Sequence, residues 1–254
     1  MSDLGRIAAA ILATPERNLA VFGATTVAFA ALARALRGVT NSGSMAGGAV
    51  CFTLMLAAGW GGLAALGTVF LLTWAATRVG YARKLRLGTA ESKSGRNAWQ
   101  VLANLGVPLV AALLYLWVHD GRLLVTIAAS LAEVAADTLA SEIGQVLGGK
   151  PRLVTTWEAV PAGTDGAITL GGTLAALGAA AAVALICVLG GMIAHRDALV
   201  CVAGGFSGMV ADSFMGATIQ RRGYVGNNGV NLFSTIIAAS LALLLSYSLS
   251  LSFP

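Results

Sequence analysis

Charged side chains are scarce in this chain. Asp, Glu, Lys and Arg together make up 11% of its 254 residues, whereas an ordinary soluble domain contains about 25%. Hydrophobic residues make up 57%, and the mean hydropathy is +0.81. So few charges exclude an ordinary soluble domain and indicate a polytopic membrane protein.

Cysteine and histidine are also scarce. The three cysteines, Cys51, Cys187 and Cys201, all lie in apolar segments and lack metal-ligand spacing, so we expect them to be small buried hydrophobic side chains. The two histidines, His119 and His195, lie in short loops between apolar segments. This distribution supports neither a disulfide framework nor a zinc site, and it argues against histidine catalysis.

The apolar residues form runs of the length that crosses a membrane, roughly 17 to 25 residues. We predict an all-α polytopic helical bundle with about eight transmembrane helices, forming one integral membrane domain over residues 1–254. Residues 1–17 are predicted to be an interfacial lead-in. The predicted spans are 19–36, 44–59, 62–79, 99–118, 123–147, 166–190, 199–220 and 231 to the C-terminus.

Basic residues predict the orientation, because Lys and Arg in short loops remain on the cytoplasmic side. With the N-terminus outside and eight spans, twelve of the sixteen Lys and Arg residues fall inside. Residues 80–97 then form a basic cytoplasmic loop of a bacterial-type inner membrane protein. We expect four basic residues near this loop to serve orientation or anionic headgroups: Arg78, Arg83, Lys84 and Arg86.

A tandem pattern occupies the C-terminal half, in units 123–190 and 198–254. Each unit places an aspartate inside a membrane-length run, Asp137 in "ADTLASEIG" and Asp212 in "ADSFMGATIQ". An ionisable group in such a place indicates a functional site. Each run is followed by a basic loop and a glycine-flanked polar motif.

The predicted topology brings the polar groups together. The spans carrying Asp137 and Asp212 would run parallel, with both aspartates about 20 Å in from the outer boundary. The motifs "GTDG" (163–166) and "GNNG" (226–229) would begin the following helices at the cytoplasmic face. Helix N-termini bind anions through their free amides, so one cytoplasmic pocket is predicted.

The donors and acids of this pocket suit phosphate chemistry. The loop residues Lys93, Arg96 and Asn97, together with Arg152, could hold the phosphates of a nucleoside triphosphate. Asp137 and Asp212, with Glu142 or Glu133 nearby, are hard oxygen ligands suited to Mg²⁺. Buried acids can alternatively serve only as hydrogen-bonding partners between helices.

The motifs "GRNAWQVLAN", "ADTLASEIG", "PRLVTTWEAVPAGTDGAITLGGT", "ADSFMGATIQ" and "NNGVNLFST" resemble those of a known membrane family. It includes the phytyl-phosphate kinases of tocopherol synthesis in plants and cyanobacteria. The resemblance extends from about residue 41 onward. More distant similarity to phytol kinase, dolichol kinase and CDP-diacylglycerol synthase implies CTP as the nucleotide and Mg²⁺ as the metal.

The resemblance also implies a set of site residues. It places in its signature segments Asp137, Ser141, Glu142, Arg152, Thr164, Asp165, Asp212, Asn227, Asn228 and Asn231. We assign Asp137 and Asp212 to catalysis and, with Glu142, to metal binding. The residues assigned to substrate phosphate are Lys93, Arg96, Asn97, Arg152, Thr164, Asp165, Asn227, Asn228 and Asn231.

Three functions are consistent with these observations. The first is a Mg²⁺-dependent kinase that transfers a phosphoryl group from CTP, or another nucleotide, to an isoprenyl monophosphate lipid such as phytyl phosphate. The second is a cytidylyltransferase that leaves CMP on the lipid. The third is a transporter, because tandem repeats with polar helix ends also build transport sites. The sequence gives no sign of a nucleic-acid partner and does not determine an oligomeric state.

Overall fold

The computed structural model describes residues 16–147 and 149–252, where the chain is predominantly helical, as predicted. Of the lead-in predicted for residues 1–17, residues 1–15 lie outside the described part. The elements are α1 (Glu16–Ala35), α2 (Asn41–Arg78), α3 (Tyr81–Leu87), α4 (Ala98–Val118), α5 (Gly121–Leu147), β1 (Arg152–Leu153), β2 (Ala167–Ile168), α6 (Leu170–Leu189), α7 (Ala198–Met215) and α8 (Asn227–Ser252). A short 3-10 turn (His195–Asp197) precedes α7, and a π-helical turn (Gly216–Gln220) extends it.

Helix α2 is 38 residues long and folds back on itself at Gly59, which adopts φ 58° and ψ −140°. Such a positive φ favours glycine. Both ends of α2 therefore lie at one end of the bundle, where the Arg78 guanidinium donates a 2.6 Å hydrogen bond to the Leu36 carbonyl. A β-carbon on Gly62 would collide with the Leu54 carbonyl, although residues eight apart in a straight helix are about 12 Å apart.

This reversal reconciles the helix count with the predicted topology. Seven helices of the described chain are long and apolar enough to cross a membrane, and α2 is counted once among them. The two antiparallel halves of α2 correspond to the predicted spans 44–59 and 62–79. The predicted bundle of about eight membrane-length passes is thereby confirmed.

Helix α5 forms the centre of the bundle and packs against α2, α4, α6, α7 and α8. Residues 125–136 of this helix are all buried, and many are alanine, which allows neighbouring helices to approach closely. On α7, Gly204 contacts Ala129 and Gly208 contacts Glu133 of α5. Because the residue numbers increase together, α5 and α7 run parallel, as predicted.

The two repeat units begin their second helices differently. Helix α8 begins at Asn227, so the prediction for "GNNG" is confirmed. The prediction for "GTDG" is wrong, because α6 begins only at Leu170, where Thr169 caps the first turn by accepting a hydrogen bond from Gly172 N. Residues 167–168 instead pair with residues 152–153 as a short antiparallel ladder, which keeps the chain extended past "GTDG".

All three cysteines and one lysine of the basic loop are buried. Cys51, Cys187 and Cys201 are free and buried, as predicted. The basic loop 80–97 contains the short helix α3. Lys84 on this helix is fully buried, so the expectation that it serves only orientation or headgroups is wrong.

Candidate functional site

A cavity of about 470 Å³ lies at the end of the bundle where α5 and α7 finish and α8 begins. Its wall is formed by α4, α5, α7 and α8 and by residues of the loops 88–92 and 162–169. We call it the polar cavity. Its ionisable and amide-bearing lining residues are Glu91, Arg96, Gln100, Asn104, Asp137, Glu142, Gln145, Asp165, Asp212, Gln220, Asn227, Asn228 and Asn231.

The two repeat aspartates meet in this cavity. Asp137 on α5 and Asp212 on α7 both line it, and their carboxyl groups are close enough to interact directly. The Asp212 Oδ2 atom is buried and has no hydrogen-bond partner among the described residues. An unpaired buried polar atom is costly, by about 1–3 kcal/mol and more for a charged group. The aspartate pair can therefore accept a cation.

A third carboxylate lies beneath the aspartates. Glu133 precedes Asp137 by one helical turn on α5 and is only 2% exposed. The Ser234 and Thr235 hydroxyls of α8 donate to its two carboxylate oxygens, each over 2.7 Å. Glu133 does not line the polar cavity, and its hydrogen bonds join α5 to α8 just below the cavity floor.

One arginine lies beside the aspartate pair. The Arg96 guanidinium contacts the Thr138 hydroxyl at 3.3 Å and is close enough to Asp137 to attract its carboxylate. The backbone of Arg96 is fixed by hydrogen bonds to Gly38 and Thr40 on either side of a bridge to Val39. Arg96 is thus a positioned cation on the cavity wall.

Two asparagines join α4 to α8 at the cavity. Asn231 Nδ2 donates to Asn104 Oδ1 over 3.2 Å, and Asn104 Nδ2 donates to the Gln100 carbonyl. Asn227 and Asn228 lie at the first turn of α8 and also line the cavity. The first turn of α8 thus adjoins a cavity that is also lined by the carboxylates of Asp137 and Asp212.

Residues of the loop between α5 and α6 form another part of the cavity wall. Thr164 and Asp165 line the cavity, with Thr164 donating to the Pro161 carbonyl. Gly166, at φ +75°, packs directly against Ala217 of the π-helical turn. A β-carbon there would collide with the Ala217 backbone, so this glycine permits the loop of one repeat to close against the other repeat.

Three of the predicted phosphate-binding residues lie outside the polar cavity. The Lys93 ammonium lies 5.7 Å from the centre of the Tyr81 ring and lines a different cavity. Asn97 is the N-cap of α4, where its side chain accepts from Gln100 N over 3.1 Å. Arg152 is exposed and donates to the Trp157 carbonyl over 2.6 Å. The structure therefore does not bring these three side chains to the aspartates.

Glu142 also departs from its predicted role. It lines the cavity, but its carboxylate is paired with the buried ammonium of Lys84. No group of three His, Cys, Asp or Glu side chains that could hold a metal occurs in residues 16–147 and 149–252. The structure thus divides the predicted three-carboxylate set: Glu142 is paired with the Lys84 ammonium, whereas Asp137 and Asp212 interact with each other. Metal binding by the three carboxylates stays a prediction.

Sequence reasoning missed several lining residues. Gln100 and Asn104 are four residues apart in the apolar helix α4, and two amides on one helical face are a signal that could have identified them. Thr89 and Glu91 belong to the basic loop. Nothing in the sequence indicates them, because only the fold of that loop brings them over the end of α5.

Comparisons with known proteins agree with this architecture. A family model described as integral membrane protein DUF92 matches residues 24–239. An uncharacterized membrane protein of Methanocaldococcus jannaschii is 35% identical, over 82% of this chain and 86% of the relative. An uncharacterized membrane protein of Synechocystis is 32% identical, over 74% of each chain.

Plant proteins are also similar. The chloroplastic protein VTE6 of Arabidopsis thaliana is 30% identical, over 74% of this chain and 59% of the relative. No solved structure matches the chain at a significant level. The family match spans most of the membrane bundle, including both aspartate helices and the start of α8. The chain therefore belongs to the DUF92 family of integral membrane proteins.

Proposed function

We propose that this protein is a Mg²⁺-dependent kinase that transfers a phosphoryl group from CTP, or another nucleoside triphosphate, to an isoprenyl monophosphate such as phytyl phosphate. The observation that carries the proposal is the meeting of Asp137 and Asp212 in a polar cavity beside Arg96. The resemblance of the motifs to phytyl-phosphate kinases and the similarity to VTE6 of Arabidopsis thaliana support it. The positive-inside distribution of Lys and Arg supports a cytoplasmic position for this cavity.

The aspartate pair fits a magnesium ion. Mg²⁺ is commonly held by one or two protein carboxylates together with substrate phosphates, and the Asp212 Oδ2 atom lacks a hydrogen bond from the described residues. Asp137 and Asp212 would hold the ion, with Asn231 near them on α8. When bound, Mg²⁺ would neutralise the charge of the triphosphate.

The proposed reaction requires no strong general base from the protein. A phosphate oxygen of the acceptor forms a bond to the γ-phosphorus, the bond from that phosphorus to the β,γ-bridging oxygen breaks, and CDP leaves with the electron pair. The acceptor oxygen is already anionic, so no strong general base is needed. Positioning and charge neutralisation supply most of the catalysis in phosphoryl transfer.

The cavity supplies those two effects. Arg96 would contact the phosphates, because it is the cation nearest the aspartates on the cavity wall. The first turn of α8, with Asn227 and Asn228, would present backbone amides and amide side chains to them. Thr164 and Asp165 would close the cavity from the side of the loop.

A product assay tests the proposal. Detergent-purified protein is given phytyl or farnesyl monophosphate, Mg²⁺ and each labelled nucleotide, and products are read by mass spectrometry. A lipid diphosphate with CDP or ADP supports the kinase. A CMP-linked lipid with released pyrophosphate would replace it with the cytidylyltransferase, and failure of all nucleotides to turn over would favour transport.

Matched variants test the roles proposed for Asp137, Asp212 and Arg96. Asp212→Asn and Asp137→Asn should each lower kcat about a hundredfold or more, because metal-held charge stabilisation amounts to several kcal/mol. Asp197→Asn is the control, since Asp197 precedes α7 and lies about 22 Å along it from Asp212. Arg96→Gln should raise KM for the nucleotide or acceptor, whereas Arg152→Gln should not. Near-normal activity of Asp212→Asn would refute the assignment.

A further inference from the structure

A second cavity of about 320 Å³ lies beside the polar cavity. It is enclosed by α1, both halves of α2 and α4, and its deeper wall is apolar. Phe29 and Ala33 of α1, Leu66 and Phe70 of α2, and Leu105 of α4 contribute to this wall. We call it the apolar cavity, and its volume lies within the usual range for small-ligand sites, about 300–1,000 Å³.

The two cavities share one wall. Arg96, Gln100 and Asn104 line both, as do Glu91 and Ser92. The two spaces are therefore adjacent, and a molecule bound at the shared residues would have the aspartate pair on one side and apolar side chains on the other.

Four cations line the apolar cavity, Arg37, Arg78, Lys93 and Arg96, together with one carboxylate, Glu91. Arg96 and Glu91 also line the polar cavity. Farther in, Leu66 lies twelve residues before Arg78 in the second half of α2, which is about 18 Å of helix. The cavity is thus cationic at the end that joins the aspartate site and apolar at depth, which complements an anionic headgroup with a hydrocarbon tail.

Helix packing leaves this cavity accessible from the side. Helix α1 has α2 as its main packing partner, and α4 packs on α2, α5 and α8, so α1 and α4 line one space without packing closely on each other. The Phe29 and Phe70 rings meet edge to face at 5.8 Å on the wall. A lipid could therefore enter between α1 and α4 without leaving the membrane.

One glycine keeps part of the cavity open. Gly47 of α2 lines it, and a β-carbon added there would meet no atom within 4 Å. Any larger side chain at this position would project into the empty space. Gly67, on the other half of α2, is equally uncrowded but does not line the cavity, so it provides a matched control.

We propose that the apolar cavity is the binding site for the hydrocarbon tail of the isoprenyl phosphate acceptor. The lipid enters between α1 and α4, its tail lies against Phe29, Leu66 and Phe70, and its phosphate is held at Arg96 next to the aspartate pair. This assignment rests on the proposed function, because it takes the acceptor of that reaction as the occupant. It also predicts that the depth of this cavity limits the length of tail accepted.

Photolabelling tests the site without turnover. Farnesyl monophosphate with a diazirine on its terminal isoprene unit is irradiated with the protein in nanodiscs, and labelled residues are mapped by mass spectrometry. We expect label on Phe29, Leu66 or Phe70, competed by unlabelled farnesyl monophosphate. Label confined to outward-facing neighbours such as Leu32 and Leu71, which are 54% and 57% exposed, would overturn the proposal. Equal labelling of the cavity by a diazirine-bearing phosphatidic acid would overturn it as well.

Cavity filling tests tail binding. Gly47→Leu should lower kcat/KM for phytyl phosphate about tenfold or more, because each methylene denied burial is equivalent to about fourfold in affinity. Gly67→Leu should leave kcat/KM nearly unchanged. An equal effect of Gly47→Leu and Gly67→Leu would refute tail binding here.

Labelling and turnover together distinguish a failure of the tail site from a failure of the proposed kinase activity. A protein that phosphorylates farnesyl phosphate but is labelled only at outward-facing residues would keep the kinase and refute this tail site. A protein that shows specific cavity labelling but turns over no nucleotide would refute the kinase and keep an isoprenyl-phosphate site. Cavity labelling that falls sharply in Gly47→Leu relative to Gly67→Leu would support the tail site without any measurement of activity.

Discussion

Lys84 and Glu142 form a buried ion pair, and removing one partner should destabilise the protein more than removing both. The Lys84 side chain is 0% exposed and that of Glu142 is 8% exposed. The Lys84 ammonium also donates to the Ala76 and Thr77 carbonyls, each over 2.9 Å. These carbonyls lie in the last turn of α2, where no further helical donor is available. One ammonium thus joins α3, the end of α2 and α5.

Single and double replacements measure this coupling. Removing one partner of a buried ion pair costs about 3–5 kcal/mol, because the remaining charge is left uncompensated. Glu142→Leu should cost about 3 kcal/mol, since the ammonium keeps its two carbonyl acceptors, and Lys84→Met should cost about 4–5 kcal/mol. The double variant buries no charge and should lose about 1–3 kcal/mol, mainly from the uncapped carbonyls.

The assay is reversible unfolding in mixed detergent micelles, followed by tryptophan fluorescence. The expected coupling energy between the two sites is at least about 4 kcal/mol. Free energies that add to within about 0.5 kcal/mol would refute the reasoning. The same variants test Glu142 as a metal ligand. A folded double variant that has lost all Mg²⁺-dependent activity would support Glu142 as a metal ligand. Retained activity would show that Glu142 has a structural role only.

Two further predictions concern residues whose roles the structure defines. Asn97→Ala should destabilise the protein by about 1 kcal/mol, because the α4 capping box is lost, and it should not raise KM for either substrate. Asn97→Ser should restore stability. A raised KM in the folded Asn97→Ala variant would contradict the capping role. Gly208→Ala should lower the free energy of unfolding by about 1–3 kcal/mol through overpacking, because its β-carbon would lie 2.6 Å from Glu133 Cγ and 2.8 Å from Ser234 O. Gly67→Ala is the control, and the same assay should show little change in its free energy of unfolding.

The sequence was sufficient to predict the membrane class and the positions of the helices. Hydropathy over a membrane-length window is a local property, so the spans 123–147 and 199–220 agree closely with α5 and with α7 and its π-helical turn. The parallel course of these helices followed from counting spans and basic loops. The start of α8 at Asn227 likewise followed from the local glycine-flanked motif.

Side-chain partnerships were not predictable in the same way. Lys84 and Glu142 are 58 residues apart in the chain, and nothing in their local sequences indicates that α3 folds against α5. Lys93 and Arg96 belong to one basic loop, yet the first faces Tyr81 and the second approaches Asp137. The direction of each side chain depends on the fold of that loop and on the helices beneath it.

Repeats and hydropathy are properties of the linear chain, so they were enough to predict that two aspartates occupy equivalent positions in two membrane helices. Three features required the folded structure: Asp137 and Asp212 meet while Glu142 pairs with Lys84, "GTDG" lies in a loop, and an apolar cavity adjoins the polar cavity. Ion pairing, strand pairing and cavity shape arise from contacts between segments distant in sequence, and no local pattern specifies such contacts.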